Sequence, residues 1–252
     1  MPAAGEARGW ALVTGAGRRI GRVLAVQAAR SGYDVIVHAH DSGQDAQETG
    51  AMVEAEGRRH RVAIADLTLD EALPGLLEAA GEPVTLLVNC ASLFRDDRIQ
   101  TLTAGGFDAH IAANLRAPVL LAQAFAAALP ADAKGLIVNI VDQRVWRLTP
   151  QFFSYTLTKA ALWAATQTLA QALAPRIRVN AIGPGPTLPS VHQSPQDFAA
   201  EASAVLLGHG ASPQEIAGAL AYLIDALSVT GQMIAVDGGQ HLAWRTPDIL
   251  SD

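Results

Sequence analysis

Short, almost unbroken apolar runs alternate with longer stretches of helical composition along the whole chain. The runs fall at residues 10–14, 33–38, 61–65, 84–89, 135–141, 177–182 and 233–236, each four to seven residues long, rich in Val, Ile and Leu, and bounded by Gly, Asp, Asn or Pro. An apolar run without alternation predicts a strand covered on both faces, as in a parallel sheet. The stretches between them are alanine-rich and predict helices over 20–31, 45–56, 71–80, 107–129, 154–173 and 213–227. Strand followed by helix, repeated, makes βαβ units, and right-handed crossovers wind these into an α/β fold: a Rossmann-type doubly wound parallel sheet of about seven strands, helices on both faces. No low-complexity linker, charge block or second core interrupts the series, so residues 1–252 are expected to form one domain. The one long irregular segment, 183–195, holds four prolines. A loop of that length inside a compact domain usually has a function, and 183–210 is expected to be a substrate lid.

Half of the 252 residues are hydrophobic, enough at this length for a core on both sides of such a sheet. Only 17% are charged, so much of the surface is small or apolar and self-association is expected. The net charge of −6 argues against nucleic acid, because phosphate binding wants a basic face. No run approaches the roughly 20 apolar residues that a membrane span needs, and the N-terminus lacks the apolar core of a signal peptide. The lone Cys90 forms no internal disulfide, which fits a reducing cytoplasm. A small-molecule substrate is left as the expected partner, with no metal.

The chemistry-bearing residues sit at the predicted strand ends. Thr14-Gly15-Ala16-Gly17-Arg18-Arg19-Ile20-Gly21 follows the first strand and opens the first helix. Glycines there let the backbone turn tightly and approach a pyrophosphate, whose charge the helix N-terminus meets. Asp66 closes the third strand, placed to accept a hydrogen bond from adenine or to cap a helix. Asn89 ends the fourth strand beside the expected crevice, as a ligand or as a partner for loop backbone. An acid about 20 residues beyond the glycines selects the free ribose hydroxyl of NAD. Asp41 is near that distance but lies past the second strand, whereas His38 and His40 sit closer to its end and Arg18 lies in the glycine turn. These donors favour NADP(H), with NAD(H) as the alternative.

Tyr155-Thr156-Leu157-Thr158-Lys159 places a phenol and an ammonium one helical turn apart on the same face. A neighbouring ammonium stabilises phenolate and is expected to lower the tyrosine pKa, making Tyr155 a proton donor to a carbonyl or imine during hydride transfer. Lys134 and Lys159 are the only lysines among 18 basic residues, so a lysine kept at this position is informative.

Taken together, Thr14-Gly15 through Gly21, Asp66, Asn89-Cys90-Ala91, Asn114, Tyr155 with Lys159, Arg178-Val179-Asn180-Ala181 with Pro184-Gly185, and Val236-Asp237-Gly238-Gly239 resemble the short-chain dehydrogenase/reductase family over nearly the whole chain. The resemblance implies a cofactor site built from Gly15, Arg18, Arg19, Ile20, Gly21, His38, His40, Ser42, Asp66, Leu67, Asn89, Ala91, Lys159, Pro184, Gly185 and Thr187. It also implies that Asn114 helps Lys159 hold a proton-relay water, and that long helices pair into a homotetramer. Where the family usually has glycine this chain has Arg19; where it has serine, thirteen residues before the tyrosine, it has Asp142. Together with Ser92, Phe94 and His38-Ala39-His40, these departures resemble the pteridine and dihydromonapterin reductases. A pterin-like substrate would then meet Arg19, Ser92, Phe94, Asp142 and Tyr155: Phe94 stacking on the ring, Arg19 and Ser92 on its edge, and Asp142, kept protonated by burial, as a second proton donor. Plainer roles stand beside these: Phe94 as a loop anchor, Asp142 as a cap for Gln143 or Arg144, Arg19 on pyrophosphate alone, Trp146 and Arg147 at the mouth or packing the lid, and His192 solvated. A general carbonyl or 3-oxoacyl reductase, and a non-catalytic dinucleotide sensor, are the rival functions.

Overall fold

The central strands of the sheet are buried at nearly every position because each side is roofed by helices, while the edge strand over 60–64 is only partly covered. In the computed structural model, which describes residues 8–190 and 193–244, the strands are β1 (Trp10–Val13), β2 (Asp34–Ala39), β3 (His60–Ile64), β4 (Val84–Asn89), β5 (Gly135–Ile140), β6 (Ile177–Pro184) and β7 (Met233–Val236). They form one sheet in the order β3-β2-β1-β4-β5-β6-β7, all pairs parallel. Successive residues of a strand face opposite sides. Ala11 and Val13 of β1 pack with α1 (Arg19–Arg30), α2 (Gly43–Ala55) and α8 (Pro213–Asp225), through Leu24, Val53 and Leu220. Trp10 and Leu12 pack on the other side with α3 (Leu73–Glu78), α5 (Ala117–Ala128) and α6 (Phe153–Leu173), through Leu76, Phe125 and Ala170. The chain order reverses between β1 and β4, which opens a crevice at the carboxyl ends of the strands, where doubly wound sheets take their ligands.

The expected helix over 107–129 is α4 (Ala104–Ile111) running through a π-helical turn, Ala112–Arg116, into α5. This Ala104–Ala128 stretch is long and apolar enough to cross a membrane by length and composition, contrary to the expectation that no stretch comes near. Here it roofs the sheet, burying Leu121 and Phe125 on one side while holding the fully buried amide of Asn114 in its π turn.

The irregular segment is shorter than the sequence suggested. β6 keeps its ladder with β7 through Gly183 and Pro184, and α7 (Pro195–Ser203) begins where the loop was expected to end. Ser194 and Asp197 form its capping box, and Pro195 occupies the first turn, where a missing N–H costs nothing. His192 lies outside the described residues, as do residues 245–252. Within the described part, His241 bonds Asp237 and packs on Trp146, while Arg147 donates to the Ala243 carbonyl. Trp146 and Arg147 therefore hold the C-terminal segment and do not line the cavity described next.

Candidate active site

A cavity of about 1300 Å³ opens over the carboxyl ends of the central strands. That exceeds the roughly 300–1,000 Å³ of a single small-ligand site, leaving room for a dinucleotide and a second ring together. Its floor is the glycine turn. Gly15 has φ +65°, and a Cβ there would come within 2.8 Å of the Ala91 Cα; a Cβ on Gly21 would come within 2.1 Å of the Gly15 carbonyl oxygen. Neither position admits a side chain. α1 starts at Arg19 with no side-chain cap and no acid in its first turn, whereas α2, α7 and α8 each start on a serine with an acid behind it. Uncapped amides at a positive helix end, beside Gly15, Arg18, Ile20 and Gly21 on the cavity wall, fit an anionic pyrophosphate.

Leu67, Ala91, Pro184, Gly185, Thr187, His40 and Asp66 also line this cavity. The Asp66 carboxylate accepts from both the amide and the hydroxyl of Thr68, which hold its pKa below the usual range, and it caps no helix. Exposed His40 stands 3.8 Å from it. Arg18 lies on the wall with its Nε 2.5 Å from Asp45.

Four expected ligands also have other partners, and two of them, His38 and Arg19, line the cavity. His38 is buried, accepts from the Gly15 amide at Nδ1 (3.1 Å) and donates from Nε2 to the Ala65 carbonyl (3.1 Å). Burial pushes its pKa down, so a neutral imidazole shapes the turn and carries no charge for a phosphate. The Ser42 hydroxyl caps α2 through Asp45 and is absent from the cavity wall. Asn89 donates to Asn139 across the sheet at 2.8 Å, and it too lies off the wall. Arg19, itself at φ +53°, turns its guanidinium to the Pro189 and Leu188 carbonyls at 2.8 and 3.2 Å. It ties the glycine turn to the segment after β6. Thr14 is a contributor the sequence reading passed over: its hydroxyl accepts from the Cys90 and Ala91 amides and so sets the strand end opposite the turn.

The reactive end is built by β5 and α6. The Tyr155 hydroxyl donates to Asp142 Oδ2 at 3.0 Å, while Asp142 Oδ1 accepts from the Arg144 amide at 2.8 Å. Lys159 Nζ donates to the Ile140 carbonyl at 2.7 Å and lies 5.7 Å from the Tyr155 ring centre. All three line the cavity. Burial raises the Asp142 pKa, opposed first by the Arg144 charge. Burial also pushes the Lys159 ammonium down to about 8. The Tyr155 phenol was expected to be acidified; burial and the Asp142 charge instead push it well up. The first cause is burial of the phenol; the Lys159 ammonium donates its hydrogen bond to a backbone carbonyl, and the phenol donates its own to Asp142.

The Asn114 side chain accepts from the Leu93 amide (2.7 Å) and the Ser92 hydroxyl, and donates to the Leu93 carbonyl and Thr158. Its amide is fully engaged in fixing the Ser92-Leu93-Phe94 loop against α6, and it does not reach Lys159. Phe94 is stacked on Phe152 with centroids 4.2 Å apart and meets Tyr155 edge-on at 4.7 Å. One face of Phe94 is therefore taken by Phe152, a residue that sequence reasoning missed. Phe152 holds φ +50° at the start of α6, a left-handed conformation that no sequence period announces. Gln143 and Arg144 complete the wall.

Residues 15–241 match the family model described as Enoyl-(Acyl carrier protein) reductase. The crystal structure of FolM Alternative dihydrofolate reductase 1 from Brucella canis, complexed with NADP, is 48% identical, covers 97% of this chain and 98% of its own, and superposes with a TM-score of 0.92. The (3R)-3-hydroxyacyl-CoA dehydrogenase of Mus musculus is 32% identical over 248 residues, 91% of this chain and 95% of its own length. L-xylulose reductase of Mesocricetus auratus is 34% identical over 239 residues, 91% and 95%. With the glycine turn, the Tyr155–Lys159 pair and the seven-stranded sheet in the same chain order, the protein belongs to the short-chain dehydrogenase/reductase family of oxidoreductases.

Proposed function

We propose that this enzyme uses NADPH to reduce a C=N bond of a pterin-like heterocycle. The observation that carries the reading is the Asp142–Tyr155 contact, two proton-bearing groups 3.0 Å apart on the wall of a cavity with a dinucleotide floor. The NADP-bound FolM reductases of Brucella canis and Brucella suis, each 48% identical, support both cofactor and substrate class. The uncapped start of α1, Arg18 and His40 would hold the cofactor phosphates, and Lys159 its ribose.

Bound NADPH supplies the hydride. The protein's part is the proton. Hydride added to the ring carbon of C=N leaves the electron pair on nitrogen, and one proton completes the new N–H. Tyr155 and Asp142 are joined by a hydrogen bond, and burial raises the carboxyl's pKa, which favours its protonated form. Asn114 holds the Ser92–Phe94 loop over the ring site, and the lid expected from the sequence, residues 183–210, would form the cover that excludes water. Pairing of α5 and α6 with the same helices of other copies would give a homotetramer, which light scattering tests.

The direct test is steady-state reduction of 7,8-dihydrobiopterin or dihydromonapterin with NADPH, followed by loss of the cofactor's absorbance. Turnover of the dihydropterins well above that of simple ketones and 3-oxoacyl thioesters is expected. Good ketone turnover with none of dihydropterin would leave a carbonyl reductase in its place, the reading that the hydroxyacyl-CoA dehydrogenase relative favours.

A further inference from the structure

Arg144 sits in the short 3-10 turn after β5, Gln143–Val145, with its backbone amide fixed by Asp142. Its side chain is 19% exposed and lines the cavity. The guanidinium carbon lies 5.2 Å from the Phe152 ring centre, 5.6 Å from Phe94 and 5.9 Å from Tyr155. What it lacks is an acceptor. Its nearest charge is Asp142 Oδ1, 3.7 Å from Nε, beyond hydrogen-bonding distance. The guanidinium donates no hydrogen bond among the described residues, and its buried Nη1 has no partner. Other half-buried arginines among the described residues do donate: Arg176, whose buried Nε is also unpartnered, gives Nη2 to the Leu129 and Pro130 carbonyls. Arg22, 25% exposed, gives its fork to Gly17, Thr49, Asp45 and Glu48. Arg178 gives its own to four carbonyls, those of Leu223, Ala226, Val229 and Ile224.

A guanidinium taken out of water normally meets carboxylates or carbonyls, because unmet donors of a charged group are expensive. The aromatic faces around Arg144 offset part of that by cation–π attraction but accept no hydrogen bond directionally. Beside Arg144, Gln143 leaves its buried Oε1 unpartnered and also lines the cavity. The turn thus carries an unpartnered guanidinium nitrogen and an unpartnered amide oxygen next to the Asp142 carboxyl, against an aromatic wall. The ligand edge complementary to this pair is a lactam, C=O beside N–H, on a planar ring.

We propose that Arg144 is a substrate-binding residue that takes the exocyclic carbonyl oxygen of the heterocycle whose C=N bond is reduced. This rests on the pterin reading, which it deepens by assigning the group that selects an oxo-heterocycle over a simple ketone. A ketone has one oxygen, needed at the proton donors; an oxopteridine has a second acceptor to offer.

The test compares wild type with Arg144→Met, which keeps length and packing, and Arg144→Lys, which keeps charge without the fork. Binding of 7,8-dihydrobiopterin to the enzyme–NADP⁺ complex is read by pterin fluorescence, alongside KM, kcat and the pH profile. Loss of a charge-assisted hydrogen bond predicts a rise of about 10- to 100-fold in Kd and KM for Arg144→Met, partly recovered by Arg144→Lys, with NADPH affinity held within about 2-fold. A pteridine lacking the exocyclic oxygen supplies a measurement on wild-type enzyme alone. It is expected to bind worse than the oxo compound by a similar factor, and Arg144→Met is expected to erase that difference. Equal binding of the two ligands to wild type overturns the assignment. So does an Arg144→Met enzyme with unchanged Kd and KM whose pH limb alone moves, which would make Arg144 a positioning residue acting through Asp142. If wild type neither binds nor reduces any dihydropterin, the pterin reading itself falls, and this assignment with it.

Discussion

Asp142→Asn separates a proton-donating carboxyl from a merely structural one. Asparagine keeps the shape, still accepts the Arg144 amide through Oδ1 and still meets the Tyr155 hydroxyl, now 3.0 Å from Oδ2, but carries no titrating proton. General acid catalysis contributes about 10²- to 10⁴-fold. Because Tyr155 remains as a second donor, a loss near the lower end is expected, about 100-fold in kcat, or about 2.7 kcal/mol of barrier. KM should move less than kcat, since Phe94 and Arg144 on the cavity wall would still hold the ring. The pH dependence carries the sharper signature. Asp142 acts when protonated, and burial raises its pKa, so wild-type kcat falls as pH rises through that raised value. In Asp142→Asn this limb vanishes, leaving the alkaline limb set by Lys159 at about 8.

Stability moves the opposite way. A carboxyl whose pKa is higher folded than unfolded makes folding take up a proton. Its stabilising contribution is full below the unfolded value and is lost as pH rises through the folded one. The asparagine variant is free of that loss, so it should melt above wild type at neutral pH, and the gap should close in acid. Steady-state kinetics from about pH 5 to about pH 9, with thermal melts over the same range, read both effects. A variant that keeps kcat within about 3-fold with its alkaline limb unmoved, or that melts below wild type at neutral pH, would refute the reasoning.

Tyr155→Phe is expected to lower kcat by at least about 100-fold while leaving NADPH binding intact; unchanged activity would favour a dinucleotide sensor. Gly21→Ala puts a Cβ 2.1 Å from the Gly15 carbonyl oxygen, so the turn must open, and NADPH binding by fluorescence titration should fall below detection. Arg19→Gly relieves a left-handed residue at φ +53°, worth about 1 kcal/mol, but removes the bonds to Leu188 and Pro189. Melting temperature should hold or rise while hydrogen exchange quickens across residues 185–190; slower exchange there would contradict the tie.

The sheet was legible because burial on both faces leaves the central strands plain apolar runs, and all seven runs became strands, the partly exposed edge strand β3 included. α7 was not read, although its signal was present: Ser194-Pro195-Gln196-Asp197 is a serine cap, a first-turn proline and an acid at the third position. Its prolines pointed to loop when one of them marks a helix start. At the site, Tyr155, Lys159 and Asp142 were legible because each sits where a strand end or a helix face meets the crevice. His38 was misread because its partner, the Gly15 amide, is 23 residues away and visible only in three dimensions. The Phe94–Phe152 stack depends on a left-handed backbone at Phe152 that a phenylalanine rarely adopts. Tertiary override of local preference, rather than weak patterning, accounts for these gaps.

The Tyr155–Lys159 spacing promised an acidified phenol, and the folded geometry gives a phenol that holds its proton more tightly than usual. That inversion bears on direction. A reductase needs its phenol protonated so that it can donate; oxidation of the product needs the phenolate as acceptor. With Asp142 on the hydroxyl and Lys159 on the Ile140 carbonyl, the neutral phenol is the stable form across the physiological range. The raised phenol pKa therefore predicts a reverse reaction that depends on pH. Oxidation of a tetrahydropterin by NADP⁺ should be slow near pH 7 and should quicken as pH rises, as the small phenolate fraction grows about 10-fold per pH unit. Forward and reverse initial rates on one enzyme sample, measured from about pH 7 to about pH 10, decide it. A reverse rate flat in pH would show that the proton leaves by another group, and the pairing of Tyr155 with Asp142 would lose its place in the chemistry.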